Sequence, residues 1–183
     1  MLTGKRIFLR RFRTEDAPIL LKWGKNPRYH KMAGFEQLTN IEDAKRAAGQ
    51  YVLRKGSFVI CLKENEQVIG LVELYERGMD ERSGLLKTKE IGFLLDQDFE
   101  GNGYMTEALN LIIKDAFENE EQVEIWAGTF ENNERSQKLL SRLGFRYVYN
   151  VDYGQVTNLF SFKEKYYLLK KEEWLKIVSN TKS

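Results

Sequence analysis

Cysteine is almost missing from this chain. A single one, Cys61, among 183 residues rules out an internal disulfide framework and suits a reducing compartment. The one histidine, His30, has no Cys or His partner at ligand spacing, so no protein-built metal site is expected. No apolar run approaches the roughly 18 residues that cross a bilayer, and the N-terminus carries no apolar signal core. The expectation is a cytoplasmic protein without a membrane partner. Strong charge of one sign is absent too: 29 Lys and Arg stand against 27 Asp and Glu, a net +2, so no global field recruits nucleic acid. Basic residues gather only at Lys5, Arg6, Arg10, Arg11 and Arg13, where a solvated strand edge explains them as well as a partner does. The length fits one domain with a sizeable core, expected over residues 1–178, and SNTKS at 179–183 has nothing to bury and reads as a flexible tail.

What is present centres on EIGFLLDQDFEGNGYMTEALNLIIKDAF, residues 90–117. Ile91, Phe93, Leu94 and Leu95 read as a strand, and Met105, Ala108, Leu109, Ile112 and Ala116 recur at the spacing of one helical face. Between them Gly101, Asn102 and Gly103 let backbone N–H groups converge at the helix start, which suits an anion. A nucleoside-triphosphate loop would need Lys and Ser or Thr after the second glycine, where this chain has Tyr104 and Met105; a dinucleotide fingerprint would need glycine at 106, where it has Thr106. A plain tight turn is the remaining alternative.

Around this stretch the pattern alternates strands and helices. Ile7 and Leu9 mark a strand, and Thr14, Glu15 and Asp16 open a helix over about 15–25 with Ile19, Leu20 and Trp23 on its buried stripe. Residues 24–40 read as a long loop, and a second helix starts near Ile41 with Asn40 as cap. Period-two alternation over 58–62 and 68–74 predicts an antiparallel hairpin that the strand at 90–95 joins as a meander. After the central helix, VEIWAGTF is a strand parallel to 90–95, because a helix connects the two. NNERSQKLLSRLGF is a short helix capped by Asn132 or Asn133 and stopped by Gly144 and Phe145; two strands joined through Gly154 and a terminal helix with Trp174 and Leu175 complete the chain.

Four pieces, IFLRRFRTEDA, EIGFLLDQDFEGNGYMTEAL, NNERSQKLLSRLGF and YYLLKKEEW, resemble the GCN5-related N-acetyltransferases, and within them the ribosomal-protein alanine acetyltransferase (RimJ/RimL-like) branch. The likeness implies an α+β (mixed α/β) fold, a twisted mixed sheet of about seven strands with splayed parallel strands 4 and 5, flanked by helices. It implies acetyl coenzyme A as donor, with its pantetheine arm paired to the backbone of Phe93, Leu94 and Leu95. Its pyrophosphate would rest on the amides of Gly101, Asn102, Gly103, Tyr104, Met105 and Thr106, with Asn133 contacting the arm. One departure is Asp98, where the family usually carries Gln or Arg; its carboxylate is expected to turn away from the phosphates. Ser136 falls where the branch places a serine near the thioester sulfur, and the tyrosine of many relatives is replaced by Leu140. Asn133 as helix cap, and Ser136 as a first-turn serine bonded to that cap, are the structural alternatives.

Amide formation needs a neutral amine, so a group must accept a proton. Glu73, on a strand face with Leu71 and Ile69, and Glu90, on the face of Gly92 and Leu94, are the two carboxylates offered by strand alternation, and the sequence does not choose between them. Cys61 lies mid-strand as a buried inert thiol, which favours direct attack in a ternary complex over an acetylated enzyme. The resemblance implies a primary amine as acceptor, such as a protein N-terminus or small amine, with the loops at 24–40, 77–89 and 150–158 choosing it, and dimerisation through the terminal strands. The other readings are a catalytically silent acetyl coenzyme A sensor of the same fold and, disfavoured by Thr106 and strand order, a nicotinamide-dependent oxidoreductase.

Overall fold

Apolar alternation places the strands, and side-chain caps delimit the helices between them. A computed structural model describes residues 1–77, 87–156 and 162–181. The elements are β1 (Leu2–Thr3), β2 (Ile7–Arg11), a 3-10 turn (Thr14–Asp16), α1 (Ala17–Lys25), α2 (Pro27–Ala33), α3 (Ile41–Leu53), β3 (Ser57–Leu62) and β4 (Val68–Glu76). They continue with β5 (Thr88–Leu95), a second 3-10 turn (Gln97–Phe99), α4 (Tyr104–Glu118), β6 (Glu124–Phe130), α5 (Glu134–Arg142), β7 (Arg146–Asp152), α6 (Tyr153–Val156), β8 (Lys163–Lys170) and α7 (Lys171–Thr181). One mixed sheet of eight strands runs in the order β1-β2-β3-β4-β5-β6-β8-β7. The expected count of about seven rises to eight because two-residue β1 adds to β2, so the parallel pair is β5 and β6. The chain expected as a loop over 24–40 holds a helix, α2. The Asn26 side chain accepts from the Arg28 amide, Pro27 occupies the first turn and Gly34, at φ 63°, closes the end. Asn, Pro and Gly, read as breakers, are here the caps of a short helix.

The described chain divides into two compact units, the first comprising Met1–Leu74 with Phe93–Ile112. Its core gathers Leu20 and Trp23 of α1, Ala44, Ala47 and Ala48 of α3, Phe12, Phe35, and Val59 and Cys61 of β3. Alanines on α3 let that helix approach closely without losing helix propensity. Trp23 meets Phe35 edge-on at 6.3 Å. From this core the chain leaving β5 is pinned at Asp96, whose side chain is 1% exposed. It accepts from Trp23 Nε1 at 3.0 Å, Lys22 Nζ at 2.7 Å and its neighbour's amide, Asp98 N, at 3.2 Å. The next amide, Gln97 N, donates to the Tyr29 hydroxyl at 2.8 Å, and Arg28 forks onto the Glu100 carboxylate. Helices α1 and α2 thereby fix the segment that leads into α4.

The second unit comprises Tyr75–Gly92 with Ile113–Ser183. There β6 pairs with β8 along its whole length, Glu124↔Lys170 to Phe130↔Glu164, while its parallel pairing with β5 runs only from Thr88↔Glu124 to Glu90↔Trp126. Helix α5 starts at Asn133, whose side chain accepts from the Ser136 amide, and ends as expected: Phe145 N bonds Leu140 O and Gly144 N bonds Ser141 O. Trp174 of α7 packs on Phe117 at 5.4 Å between ring centres, and α7 runs to Thr181, past the last apolar residue Val178.

Burial alone would raise the Asp96 carboxyl; the hydrogen bonds from Lys22, Trp23 and the Asp98 amide outweigh it and hold the pKa below the usual 3.8. A carboxyl held low in the folded state adds stability that is complete above its unfolded pKa and is lost as pH falls through the folded one. Asp96→Ala should therefore lower the unfolding free energy by about 2–3 kcal/mol at neutral pH, measured in urea. The gap to the parent chain should narrow below about pH 4. A gap that persists undiminished into stronger acid would contradict this account.

Candidate active site

In the first unit, the segment between β5 and α4 carries unspent backbone donors. Gly101 and Gly103 sit at φ 81° and 79°, a left-handed conformation that costs other residues about 1–2 kcal/mol. A Cβ at Gly101 would meet nothing within 4 Å, and one at Gly103 only the Arg6 guanidinium at 3.4 Å, so the surface above the loop is open. Among the described residues, no acceptor takes the amides of Gly101, Asn102, Gly103, Tyr104, Met105 or Thr106. The first bond of α4 runs from Glu107 N to Gly103 O. Six donors at the positive end of a fifteen-residue helix form a nest for an anion.

Arg6 clamps this nest, and the sequence showed it only as one of a basic cluster. Its Nη1 donates to Asn102 O at 2.8 Å, its Nε to Glu107 Oε2 at 3.0 Å, and its guanidinium lies 4.6 Å from the Tyr104 ring centre. Burial pushes the Glu107 carboxyl up, but the amide and guanidinium of Arg6 outweigh it and hold it below the usual carboxylate range. A charged guanidinium is thus fixed beside the open amides, its side chain 44% exposed. Asp98, the departure from the family pattern, sends its carboxylate to Lys22 Nζ at 3.1 Å. Phe93, Leu94 and Leu95 close β5 in this same unit, and Leu94 O lies 2.5 Å from the Cβ position of Gly70 on β4, a contact that only glycine there permits.

The two carboxylates expected to compete for the proton differ in surroundings. Glu73, in the first unit, accepts from Ser57 Oγ at 2.6 Å and Arg54 Nη1 at 3.1 Å through the same oxygen. Glu90, in the second, is the last residue of β5 paired to β6 and is 15% exposed. Its oxygens accept from Tyr75 OH and from Arg77 Nη1, each at 3.1 Å. Burial raises the Glu90 carboxyl and prevails over the opposing pull of Arg77 and Tyr75. Two residues beyond its partner Trp126, β6 carries Gly128; a Cβ there would stand 3.3 Å from Glu90 Oε1 and 3.2 Å from Tyr166 Cε1. Tyr166 OH donates to Glu164 Oε2 at 2.8 Å and shares a hydrogen with Tyr153 OH at 3.0 Å, and burial foremost pushes its phenol up. Tyr75, Arg77 and Tyr166 were not singled out as site residues. Their tie to Glu90 comes from strand register, which composition does not display.

Asn133 and Ser136 lie at the start of α5 in the second unit. Asn133 is 9% exposed and caps the helix as the structural alternative required. It is the Ser136 amide that meets Asn133 Oδ1, at 3.2 Å; no hydrogen bond engages the Ser136 hydroxyl among the described residues. Cys61 is fully buried, and burial pushes its thiol up against the pull of Arg10, so the thiolate a nucleophile needs is disfavoured. The loop at 77–89 lies outside the described residues over 78–86, and that at 150–158 over 157–158.

Comparison with known proteins bears on what this geometry serves. A family model described as an acetyltransferase (GNAT) domain matches residues 6–146. The chain is 29% identical over 154 residues to a probable N-acetyltransferase, YjcK, of Bacillus subtilis, covering 79% of this chain and 83% of that one. Its fold is similar to a GNAT-family acetyltransferase from Bacillus anthracis, at TM-score 0.79 and 19% identity, covering 94% and 99% of the two chains. It is similar also to the spermidine N-acetyltransferase of Vibrio cholerae solved with CoA and spermine, at TM-score 0.76 and 15% identity over 93% and 98%. With the match spanning most of the sequence, the chain belongs to the GNAT family and is an acetyl-CoA-dependent acyltransferase.

Proposed function

We propose that this protein transfers acetyl from acetyl coenzyme A to a primary amine by direct attack in a ternary complex. The observation that carries the donor side is the run of six unspent amides from Gly101 to Thr106 beside Arg6. A diphosphate offers the oxygens those amides lack, and Arg6 adds a positive charge. The backbone of Phe93, Leu94 and Leu95, beyond the last β5–β6 pair in sequence, would receive the amide-bearing pantetheine arm, with Asn133 as a further contact. When bound, acetyl coenzyme A supplies an activated acyl carbon; every other step belongs to side chains of the protein.

Glu90 is the better supported proton acceptor. It combines burial, a raised pKa and two donors that hold its orientation, so it can take a proton from an ammonium near neutral pH. Glu73, bonded by a serine and an arginine on one oxygen, is a structural anchor of the β3–β4 hairpin. Ser136, whose hydroxyl no hydrogen bond engages among the described residues, is the proton donor proposed for the departing thiolate, in the place where Leu140 offers none. The burial of Cys61 favours direct attack over transfer through an acetylated thiol. Kinship to chains named as N-acetyltransferases, and a fold neighbour solved with CoA and spermine, support a nitrogen acceptor and an active enzyme rather than a silent sensor. The acceptor class, a protein N-terminus or a small amine, and the RimJ/RimL-like branch remain part of this proposal.

Two measurements test it. Gly101→Asn tolerates the left-handed backbone and finds open space, so it should cost less than about 1 kcal/mol of stability. Its side chain would occupy the anion position and should weaken acetyl coenzyme A binding about tenfold or more by calorimetry. Equal affinity in that variant would remove the nest from the mechanism. Secondly, Glu90→Gln should reduce turnover about 10- to 100-fold at neutral pH and recover partly in alkali, where the amine loses its proton unaided. Wild-type turnover should rise with pH as the Glu90 carboxyl ionises, whereas Glu73→Gln should keep that limb; loss of the limb in Glu73→Gln alone would reverse the assignment.

A further inference from the structure

The cluster around Glu90 contains more than a base needs. The Arg77 guanidinium, at the end of β4, lies 4.2 Å from the ring centre of Trp126 and 5.1 Å from that of Tyr166. It donates to Tyr149 OH and pairs with Glu90 Oε2 at 3.1 Å. Tyr149 stacks on Tyr166 at 5.0 Å and 18°, and its ring is 5.9 Å from that of Trp126. Two aromatic faces, one phenol hydroxyl and one carboxylate therefore surround a single cation, contributed by β6 (Trp126), β8 (Tyr166), β7 (Tyr149) and β5 (Glu90). Gly128 on β6 leaves the space that Glu90 and Tyr166 fill. A lone structural ion pair requires no such enclosure; a cation that must be recognised by charge and desolvated does.

We propose that Trp126, Tyr149, Tyr166 and Glu90 form the recognition cage for the ammonium group of the acceptor, and that Arg77 is its built-in occupant, displaced when the acceptor binds. The inference rests on the reading of Glu90 as proton acceptor and names the class of amine it serves: a cationic primary alkylamine. Arg77 can hold the cage without consuming acetyl groups, because a guanidinium stays protonated and has no lone pair to attack with. An alkylammonium in its place carries the same charge, yet it can give one proton to Glu90: an N–H bond breaks, a carboxyl O–H bond forms, and the freed lone pair attacks the thioester. A C–N bond then forms, the C–S bond breaks, and the second amine proton balances the one the departing thiolate takes up to leave as a thiol. Because the incoming ammonium carries the charge that Arg77 withdraws, Glu90 stays ionised until the proton moves, and once it has moved no cation remains to pull Glu90 back to its ionised form.

Choline and its neutral isostere 3,3-dimethylbutan-1-ol separate charge recognition from apolar binding, and neither carries an N–H to acetylate. Binding to the full chain is read from Trp126 fluorescence; Trp23 and Trp174 are buried, and Trp126→Phe identifies the signal. Arg77→Ala should bind choline about tenfold more tightly than the parent chain. The neutral alcohol should gain nothing, and Tyr166→Leu added to Arg77→Ala should abolish the gain. Arg77→Gln, which keeps a polar stem beside Glu90, replaces Arg77→Ala should the latter not fold. Unchanged choline affinity in the folded variant, or an equal gain for the alcohol, overturns the cage. Thiol release with a panel of alkylamines distinguishes the two readings. Amine-stimulated release lost in Glu90→Gln, without a choline gain, refutes only the cage. A choline gain with no amine-stimulated release upholds the cation site and refutes the transfer role of Glu90.

Discussion

Backbone donors that no acceptor takes among the described residues govern the first unit. Backbone amides inside a fold normally find partners, and among the described residues six consecutive ones from Gly101 to Thr106, the first three exposed, meet no protein acceptor. Such a segment would collapse onto any nearby carbonyl unless its conformation were held from outside. Two sets of contacts hold it. Upstream, Asp96 is locked by Lys22 and Trp23 and Gln97 by Tyr29; downstream, Arg6 ties Asn102 O to Glu107. The large apolar helix pair α1 and α3 is thus the support against which a loop poor in self-contacts keeps its donors outward. Asp98 fits the same logic, since a carboxylate turned to Lys22 adds no repulsion above the nest.

Much of this was legible in the residues because local chemistry wrote it. The buried stripe Met105, Ala108, Leu109, Ile112 and Ala116 follows one helical face; Asn40 and Asn133 cap the helices that follow them; the Gly144–Phe145 stop closes as its composition announces. Helix α2 was missed because Asn26, Pro27 and Gly34 are ambiguous: each breaks a helix or begins and ends one, and only the spacing between them decides. Arg6 is separated from Glu107 by a hundred residues, and Arg77 from Tyr149 by seventy-two, so no periodicity in the sequence links them. The two-residue β1 is shorter than any alternation can reveal.

The same limit explains why two glutamates on β-strands looked equivalent. Alternation assigns a residue to a face but not to its neighbours across the sheet. Glu73 meets Ser57 from its own hairpin and Arg54 at the end of α3 just before it, contacts that answer its charge with local partners. Glu90 stands where the parallel ladder to β6 ends and where Gly128 offers no side chain, so rings from β7 and β8 and the tail of β4 converge on it. Its raised pKa follows from that crowding rather than from anything in the local sequence.

A half-buried base beside a permanent cation poses a conflict, since Arg77 favours the ionised carboxylate while weakening its appetite for a proton. A resting enzyme gains from the first effect, because the carboxylate stays unprotonated and ready. Turnover gains from escaping the second. Both are met if the partner of Glu90 changes identity during the reaction, from a guanidinium that never yields its proton to an amine that must. In such a site charge balance at Glu90 is preserved until the moment the proton moves, and the aromatic faces that stabilised Arg77 are available to stabilise the incoming ammonium in the same position. The number of rings gathered around one arginine is, on this argument, a consequence of the site having two successive cations to hold.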